Sequence, residues 1–477
     1  MGKLSALQVL EYATGADLQG ASGLTRLASI GSDHAFRSLK NVFGIPVGAP
    51  DFTWLEIPTI AGPKTVHPFL MPHKFFASYF AAHDDKWAQS MSGPVGACLQ
   101  FWTEMQETAF VLRHPALPRS TWPSMVPFGF HGDAGAFSHH DSLYTISWNS
   151  PVGRGTTSQK KFVFTVFRKS EMVADTLNTI FRILAWSFNI LLTGKWPLRN
   201  WHGRREPKSG QWLANGWRAA VCQVRGDWAF YTEVFHFPQW NGAERMCWLC
   251  RASSTIPHLH FGRFGDDAGW RGTRWTHESY MDFLRGAGLA IPVLFLCVIG
   301  LRLECIMVDT LHTVDQGVAC HIIANIFWIL VINRRVLGGD TQEDAIQGLQ
   351  KYLKEWYKGS GFTGSKVQGK LTIDRIRTRG GWPKLKAKAA ATRHLAKFAL
   401  HLVLTFADGD PRLIAICQLL CSFDDTLDEE SMFLSPPCQD RVAQNWAEIG
   451  DAVFILVRSS CCCHGEALED EPKAPSV

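Results

Sequence analysis

The sequence predicts an α/β fold, a mixed sheet flanked by helices. Three observations carry that prediction. Between residues 125 and 168 three runs of strand type are separated by turn residues, a long helical run follows, and a fourth apolar strand run ends at Arg225-Gly226-Asp227. Size agrees: 477 residues, 46% of them hydrophobic, are enough for two or three domains with cores of their own.

Composition bounds the rest. A net charge of +5 is mild, so any basic surface has to be local. Thirteen cysteines are an odd number without the dense spacing of a disulfide scaffold, and are read as reduced thiols. The opening MGKLSALQVLEYATG lacks the pattern of a secretory leader, and Ala6 stands where a myristoylation site needs Ser or Thr. The charge-free apolar segment 288–301 is too short to span a bilayer. An intracellular protein without a membrane partner is expected, with the nucleus open to it.

Residues 1–120 form a helix-leaning region broken by a Pro/Gly-rich loop, IPVGAPDFTWLEIPTIAGP. The spacing predicts one helix over 97–112, stopped by the prolines of RHPALPRSTWP. Residues 121–250 carry the sheet. MVPFGF leads into His131-Gly132-Asp133, SLYTISW alternates over 142–148, and KFVFTVFR over 161–168 is rich in Val and Phe. Leu177, Ile180, Phe181, Leu184, Phe188 and Leu191 then predict a helix, with Asp175 to cap it and Gly194 to end it. The fourth strand run lies over 217–224.

Residues 251–335 begin after a CxxC, Cys247 and Cys250, and continue through an apolar strand predicted over 291–300 to Asp309 and His312, a DxxH before a long apolar helix. Residues 336–435 read as helical. Thr341 and Asp344 form a capping-box start, Ile346, Leu349, Leu353 and Trp356 make an apolar face, and Gly359 ends the helix. Residues 366–397 then carry ten Lys and Arg against one acid, Asp374. Arg375, Arg377, Arg379, Lys384, Lys386 and Lys388, with Trp382 among them, suit contact with the phosphates of DNA. Residues 436–477 are expected to be irregular and disordered.

Strand, strand, strand, helix, strand, with an aspartate ending the first and the fourth strand, resembles the ribonuclease H-like fold of DDE/D transposases and integrases. The resemblance implies that those two strands are neighbours and that Asp133 and Asp227 meet and hold Mg²⁺. With the CxxC and the DxxH added, residues 125–333 are also similar to eukaryotic cut-and-paste transposases of the CACTA and Kyakuja-Dileera-Zisupton groups. That similarity implies a zinc-binding and helical insertion in the core and a nuclease or strand-transferase acting on DNA. It also implies a third acidic residue on a later helix. Glu429, Glu430 and Glu448 are late enough, but none sits in a convincing motif, so a catalytically inactive descendant is the favoured form.

The chemistry behind these expectations is general. Two metal ions clamped by carboxylates activate the attacking oxygen and stabilise the leaving one, and magnesium prefers oxygen ligands. Thiolates suit Zn²⁺, whose structural sites need four ligands. Cys247 and Cys250 supply two, and His258 and His260, or later Cys305, His312 or Cys320, are candidates for the others. Each motif has a plainer reading. Asp beside Gly favours a tight turn, CxxC occurs in redox pairs, Asp309 suits a helix N-cap with His312 in its first turn, and a basic run is commonly a solvated face. Two further functions fit the sequence: a hydrolase using His131, Asp133, His139, His140 and Asp141, and a zinc-stabilised DNA-binding protein without activity.

Overall fold

The structure is a computed structural model that describes residues 52–136, 141–239, 241–263, 265, 267–379, 381–429, 437–438, 440–442, 444 and 448–449. It divides into two units, each made of two chain segments. One contains residues up to 240 and 275–307; the other contains 241–274 and 308 onward.

The first unit opens with an antiparallel hairpin, β1 (Thr53–Thr59) and β2 (Gly62–Phe69). It occupies part of the region expected to be a Pro/Gly-rich loop, because Leu55, Ile57 and Phe69 bury one side of it. Helix α1 (Pro72–Ala82) follows, with proline at its first position, where a missing N–H costs nothing. The single helix expected over 97–112 is two: α2 (Ala97–Glu104) and α3 (Ala109–Arg113). The break comes at Thr108, whose backbone is extended and whose hydroxyl accepts from the Val111 amide, starting a new helix.

The main sheet contains β3 (Met125–Ala136), β4 (Ser142–Asn149), β5 (Lys161–Arg168) and β6 (Arg218–Gly226) in the order β5-β4-β3-β6. β3, β4 and β5 form an antiparallel meander, and β6 runs parallel to β3. A parallel neighbour requires a long crossover. Helix α4 (Thr176–Thr193) supplies it, burying Ile180, Ile183, Leu184, Phe188 and Leu191. Gly194 ends α4 as expected, at φ +71°, its amide bonded to the Ile190 and Leu191 carbonyls. Asp175 does not cap the helix. Its carboxylate instead accepts from the Thr179 hydroxyl at 3.3 Å and lies 3.6 Å from Arg182.

After β6 come α5 (Trp228–Phe235), α6 (His277–Gly286) and α7 (Val293–Cys297). α7 lies where a strand was expected over 291–300. Pro292 immediately before it cannot donate to a ladder, and the segment packs against α4, where the Asn189 amide group bonds Cys297 and Ile299. The chain reaches the sheet only beyond this segment, through a parallel bridge from Ile306 to Val224.

The second unit is helical. Its centre is α8 (Leu311–Asn333), α-helical over Cys320–Ile326 and wound as π-helix on either side. Around it stand α9 (Gln342–Gly359), α10 (Ala389–Phe406) and α11 (Pro411–Glu429). α9 starts and stops where the sequence indicates, with the Thr341–Asp344 capping box formed. α8 is longer than segment 288–301. By length and composition it would suffice to cross a bilayer, but 61% of its apolar window is buried inside the protein, as in a core helix. Ile323, Ile326, Phe327, Leu330 and Val331 pack there with Leu349, Leu395, Phe398 and Leu402.

Candidate functional site

β3 and β6 are in parallel register, with His131 opposite Arg225 and Gly132 opposite Gly226. Asp133 and Asp227 each follow one residue later, at the same end of adjacent strands. Asp133 is exposed and pairs across β3–β4 with Thr145. Asp227 is half-buried and is the N-cap of α5, its Oδ1 accepting from the Phe230 amide at 2.7 Å. The turn-type reading of Asp227 is therefore realised, and it uses one of the two carboxylate oxygens. Among the described residues nothing hydrogen-bonds the other, Oδ2.

This strand-end arrangement depends on two glycines. A Cβ at Gly132 or at Gly226 would run into the ring of Phe230, which packs across both. Beside it Tyr144 is 1% exposed with its hydroxyl unpartnered among the described residues. Burial drives its pKa upward, and the negative charges of Glu233, Asp227 and Asp133 push the same way. Glu233, on α5, is a carboxylate the sequence reading passed over. It lies 3.6 Å from Lys169. No motif marks it, and its nearness to Asp227 follows from α5 starting directly at the strand end.

On the opposite face of β3, Arg225 donates to Asn149 Oδ1 at 2.5 Å and crosses above Gly129, where a Cβ would collide with it. The His/Asp cluster of the hydrolase reading is largely committed or undescribed. His139 and His140 lie outside the described residues. Asp141 accepts from the Ser170 hydroxyl and amide, the Ser142 amide and Arg168 Nε, which hold its pKa down at about 2.

Cys247 and Cys250 are both half-buried free thiols. The Leu249 amide donates to Cys247 Sγ at 3.3 Å. A hydrogen bond from Cys250 holds the Cys247 thiol down at about 6 and raises that of Cys250. Downstream, Ser253 ties the loop together: its Oγ accepts from the Thr255 and Ile256 amides, and its backbone bridges His260. His258 is exposed, whereas His260 turns its Nδ1 to the Gly262 amide and stacks on Phe261. Among the described residues no three His, Cys, Asp or Glu side chains gather as metal ligands. Cys305 and Cys320 are buried thiols whose pKa values burial pushes up to about 12 and about 11, and Cys320 donates to the Gln316 carbonyl at 2.8 Å.

Asp309 takes the capping role. Oδ1 accepts from the Leu311 and His312 amides at the start of α8, and Oδ2 meets His312 Nδ1 at 2.5 Å.

The basic segment separates into two kinds of residue. Arg375 donates to the carbonyls of Gln368, Lys370 and Lys386, and Arg377 donates to Gly381 and stacks on Trp328. Arg393 and Lys397 pair with Asp315, Asp424 and Asp425. By contrast Lys384, Lys386 and Lys388 are exposed, alternating with inward Pro383, Leu385 and Ala389 along an extended stretch. The Lys384 and Lys386 amides bond the Ile376 and Arg375 carbonyls, so the three ammonium groups point from a fixed backbone, near exposed Arg379 and Trp382. Of the late acids, Glu448 is exposed and accepts from Gln444, while Glu430 and the Glu429 side chain lie outside the described residues.

No family model matches the chain, and no curated protein is similar to it.

Proposed function

We propose that this chain is a transposase-like protein acting on DNA, with a ribonuclease H-like core whose Asp133 and Asp227 are the metal-holding carboxylates. The observation that carries the reading is the parallel β3–β6 register, which brings both aspartates toward the same end of neighbouring strands after an antiparallel meander and a helical crossover. The donors are of the right kind for magnesium: oxygen only, one carboxylate exposed and the other with an oxygen to spare. When bound, magnesium would polarise a phosphoryl oxygen and lower the pKa of an attacking water. Asp133 would offer its carboxylate from the strand end, and Asp227 would offer Oδ2 while its cap fixes the carboxylate plane. Lys384, Lys386 and Lys388 would hold the DNA backbone through charge, and Arg375 and Arg377 would shape the loop that presents them.

Zn²⁺ belongs to the same reading as a structural ion on Cys247 and Cys250, with His258 and His260 turning toward the thiols to complete the set. A substrate of chromosomal DNA would make the nucleus its place of work. A second reading, an inactive DNA-binding descendant, is favoured by the capping role of Asp227, which engages one of its carboxylate oxygens. A nicking assay on supercoiled DNA with added Mg²⁺ decides between them. Metal-dependent nicking lost in Asp227→Asn supports the nuclease. DNA binding without nicking supports the descendant, and absence of DNA binding removes both.

A further inference from the structure

Between α4 and β6 the chain reads KWPLRNWHGRREPKSGQWLANGWR over 195–218, with six Lys or Arg and one acid, Glu206. It folds back on itself as an irregular two-stranded ribbon. Trp196 and Gln211 are joined through backbone hydrogen bonds, as are Asn200 and Arg204, and Glu206 and Leu198, with bridges at Lys195–Trp212 and Arg199–Arg205. Asn200 closes the tip, its side chain accepting from the His202 and Arg204 amides, with Gly203 at φ +75°.

The two sides of the ribbon differ. Trp196 packs edge-on against His73 of α1, and Trp201 against Trp186 of α4, at centroid distances of 5.7 and 5.8 Å. His73 is itself buried and bonded to Ser187, so the indoles rest on a fixed base. Arg199, Arg204, Arg205 and Lys208 are exposed, with Lys208 over the ring of Trp196 at 5.3 Å. Trp212, 44% exposed, carries Lys195 and Arg218 over its ring at 4.7 and 5.3 Å. Such contacts hold a cation in place and leave N–H donors free for another partner.

Among the described residues none of the six cations forms a salt bridge, whereas Arg113, Arg168, Arg182, Arg285 and Arg302 elsewhere in this unit all pair with carboxylates. A solvated face chosen for solubility alone would mix signs. A ribbon anchored by indoles and bearing six cations against one acid matches a phosphate backbone, and a two-stranded ribbon fits the roughly 12 Å major groove of a duplex.

We propose that the ribbon over 195–212, with Arg218 beside it, is a second binding surface for duplex DNA. It is distinct from the carboxylate end. The ribbon enters β6 at its first residue and Asp227 follows its last, so the nine-residue strand separates them by about 30 Å. The inference shares its partner with the proposed function but needs no metal at Asp133 or Asp227.

The test compares three full-length proteins binding a fluorescent random-sequence duplex by anisotropy across a salt series: wild type, the ribbon variant Arg204→Gln/Arg205→Gln/Lys208→Gln, and the comb variant Lys384→Gln/Lys386→Gln/Lys388→Gln. These ribbon side chains are exposed and, among the described residues, hydrogen-bond no backbone group; circular dichroism melts check that folding is intact. The ribbon variant is expected to bind at least about tenfold more weakly at low salt, with a log–log salt slope shallower by about 2 to 3. Unchanged affinity and slope in the ribbon variant, with the comb variant weakened, overturns the ribbon and leaves the proposed function standing. Failure of the wild type to bind duplex overturns both. Ribbon-dependent binding confined to single strands or RNA overturns the choice of duplex DNA.

Discussion

Gly132 and Gly226 are register partners on β3 and β6, and both leave room for the same ring, that of Phe230. The first helical turn after β6 thus lies directly on the sheet, and Asp227 leaves β6 there while β3 runs on through Asp133 to Ala136. Gly226→Ala should force the ring out of its place and cost about 1 to 3 kcal/mol. Chemical denaturation checks it. A variant as stable as wild type would mean that the ring moves freely and the strand end is not fixed by it.

Asp227 has two separable roles. Asparagine keeps the cap, so Asp227→Asn should leave stability within a few tenths of a kcal/mol, whereas Asp227→Ala should lose about 1 kcal/mol. Thermal melts of both variants measure this. Equal loss in the two would show that the charge, not the cap, holds the helix start.

In the helical unit Asp424 is 7% exposed, and its carboxyl is pushed up to about 7, first by burial and then by Asp315, Asp428 and Asp425, against the pull of Arg393. Asp315 is raised too, by burial above all, with Arg393 opposing, Asp309 reinforcing and His394 opposing. An unfolded aspartate titrates near 3.9. The folded state therefore holds the proton more tightly. The stabilising contribution is fully present below about pH 4 and is lost as pH rises through about 7. Melting temperature should fall from pH 5 to pH 8, and Asp424→Asn should flatten that decline. A melting temperature that climbs over this range would contradict the assignment.

Cys247 should behave as a thiolate at neutral pH in chelator-treated protein. Its alkylation by iodoacetamide should rise with a midpoint well below that of an ordinary thiol, because the Cys250 hydrogen bond favours the Cys247 thiolate. Added Zn²⁺ should protect both Cys247 and Cys250. Peptide mapping by mass spectrometry reads both, and a midpoint above pH 8 would remove the thiolate.

Arg375 and its basic neighbours should fail differently. Arg375→Ala deprives three carbonyls of their donor and should lower stability by about 1 to 3 kcal/mol. Lys386→Gln should leave stability within about 0.5 kcal/mol. Paired melts on the two variants test the division between shaping and presenting residues.

Much of the sheet was legible because its strands alternate or run apolar between turns. Lys161–Arg168 has the bounds the pattern indicates, and the capping box at Thr341 set the start of α9. Failures came where a local pattern met a tertiary contact. The residues of 291–300 have the composition of a strand, but Pro292 and the Asn189 side chain made a helical turn of them. Hairpin β1–β2 was hidden by Pro58 and Gly62, which sit at its turn and near a register irregularity. At the candidate site, the pairing of strands β3 and β6 was reached through a resemblance. The capping role of Asp227 was open to sequence reasoning, whereas the closeness of Glu233 and Tyr144 requires the sheet to be assembled. The ribbon's six-to-one charge ratio is countable in the sequence, but no strand-like alternation or motif marks the segment.

The sheet unit closes with Ile306 bridging Val224 and with the Tyr231 hydroxyl donating to the Met307 carbonyl at 2.6 Å, both across the excursion 241–274. During synthesis, therefore, the first 240 residues emerge with a sheet whose last strand is paired with β3 on one side and bare on the other. Completion has to wait for about 65 more residues. A chain cut short at 240 should be captured by chaperones or aggregate along the bare side of β6, while one extended to 307 should hold its sheet.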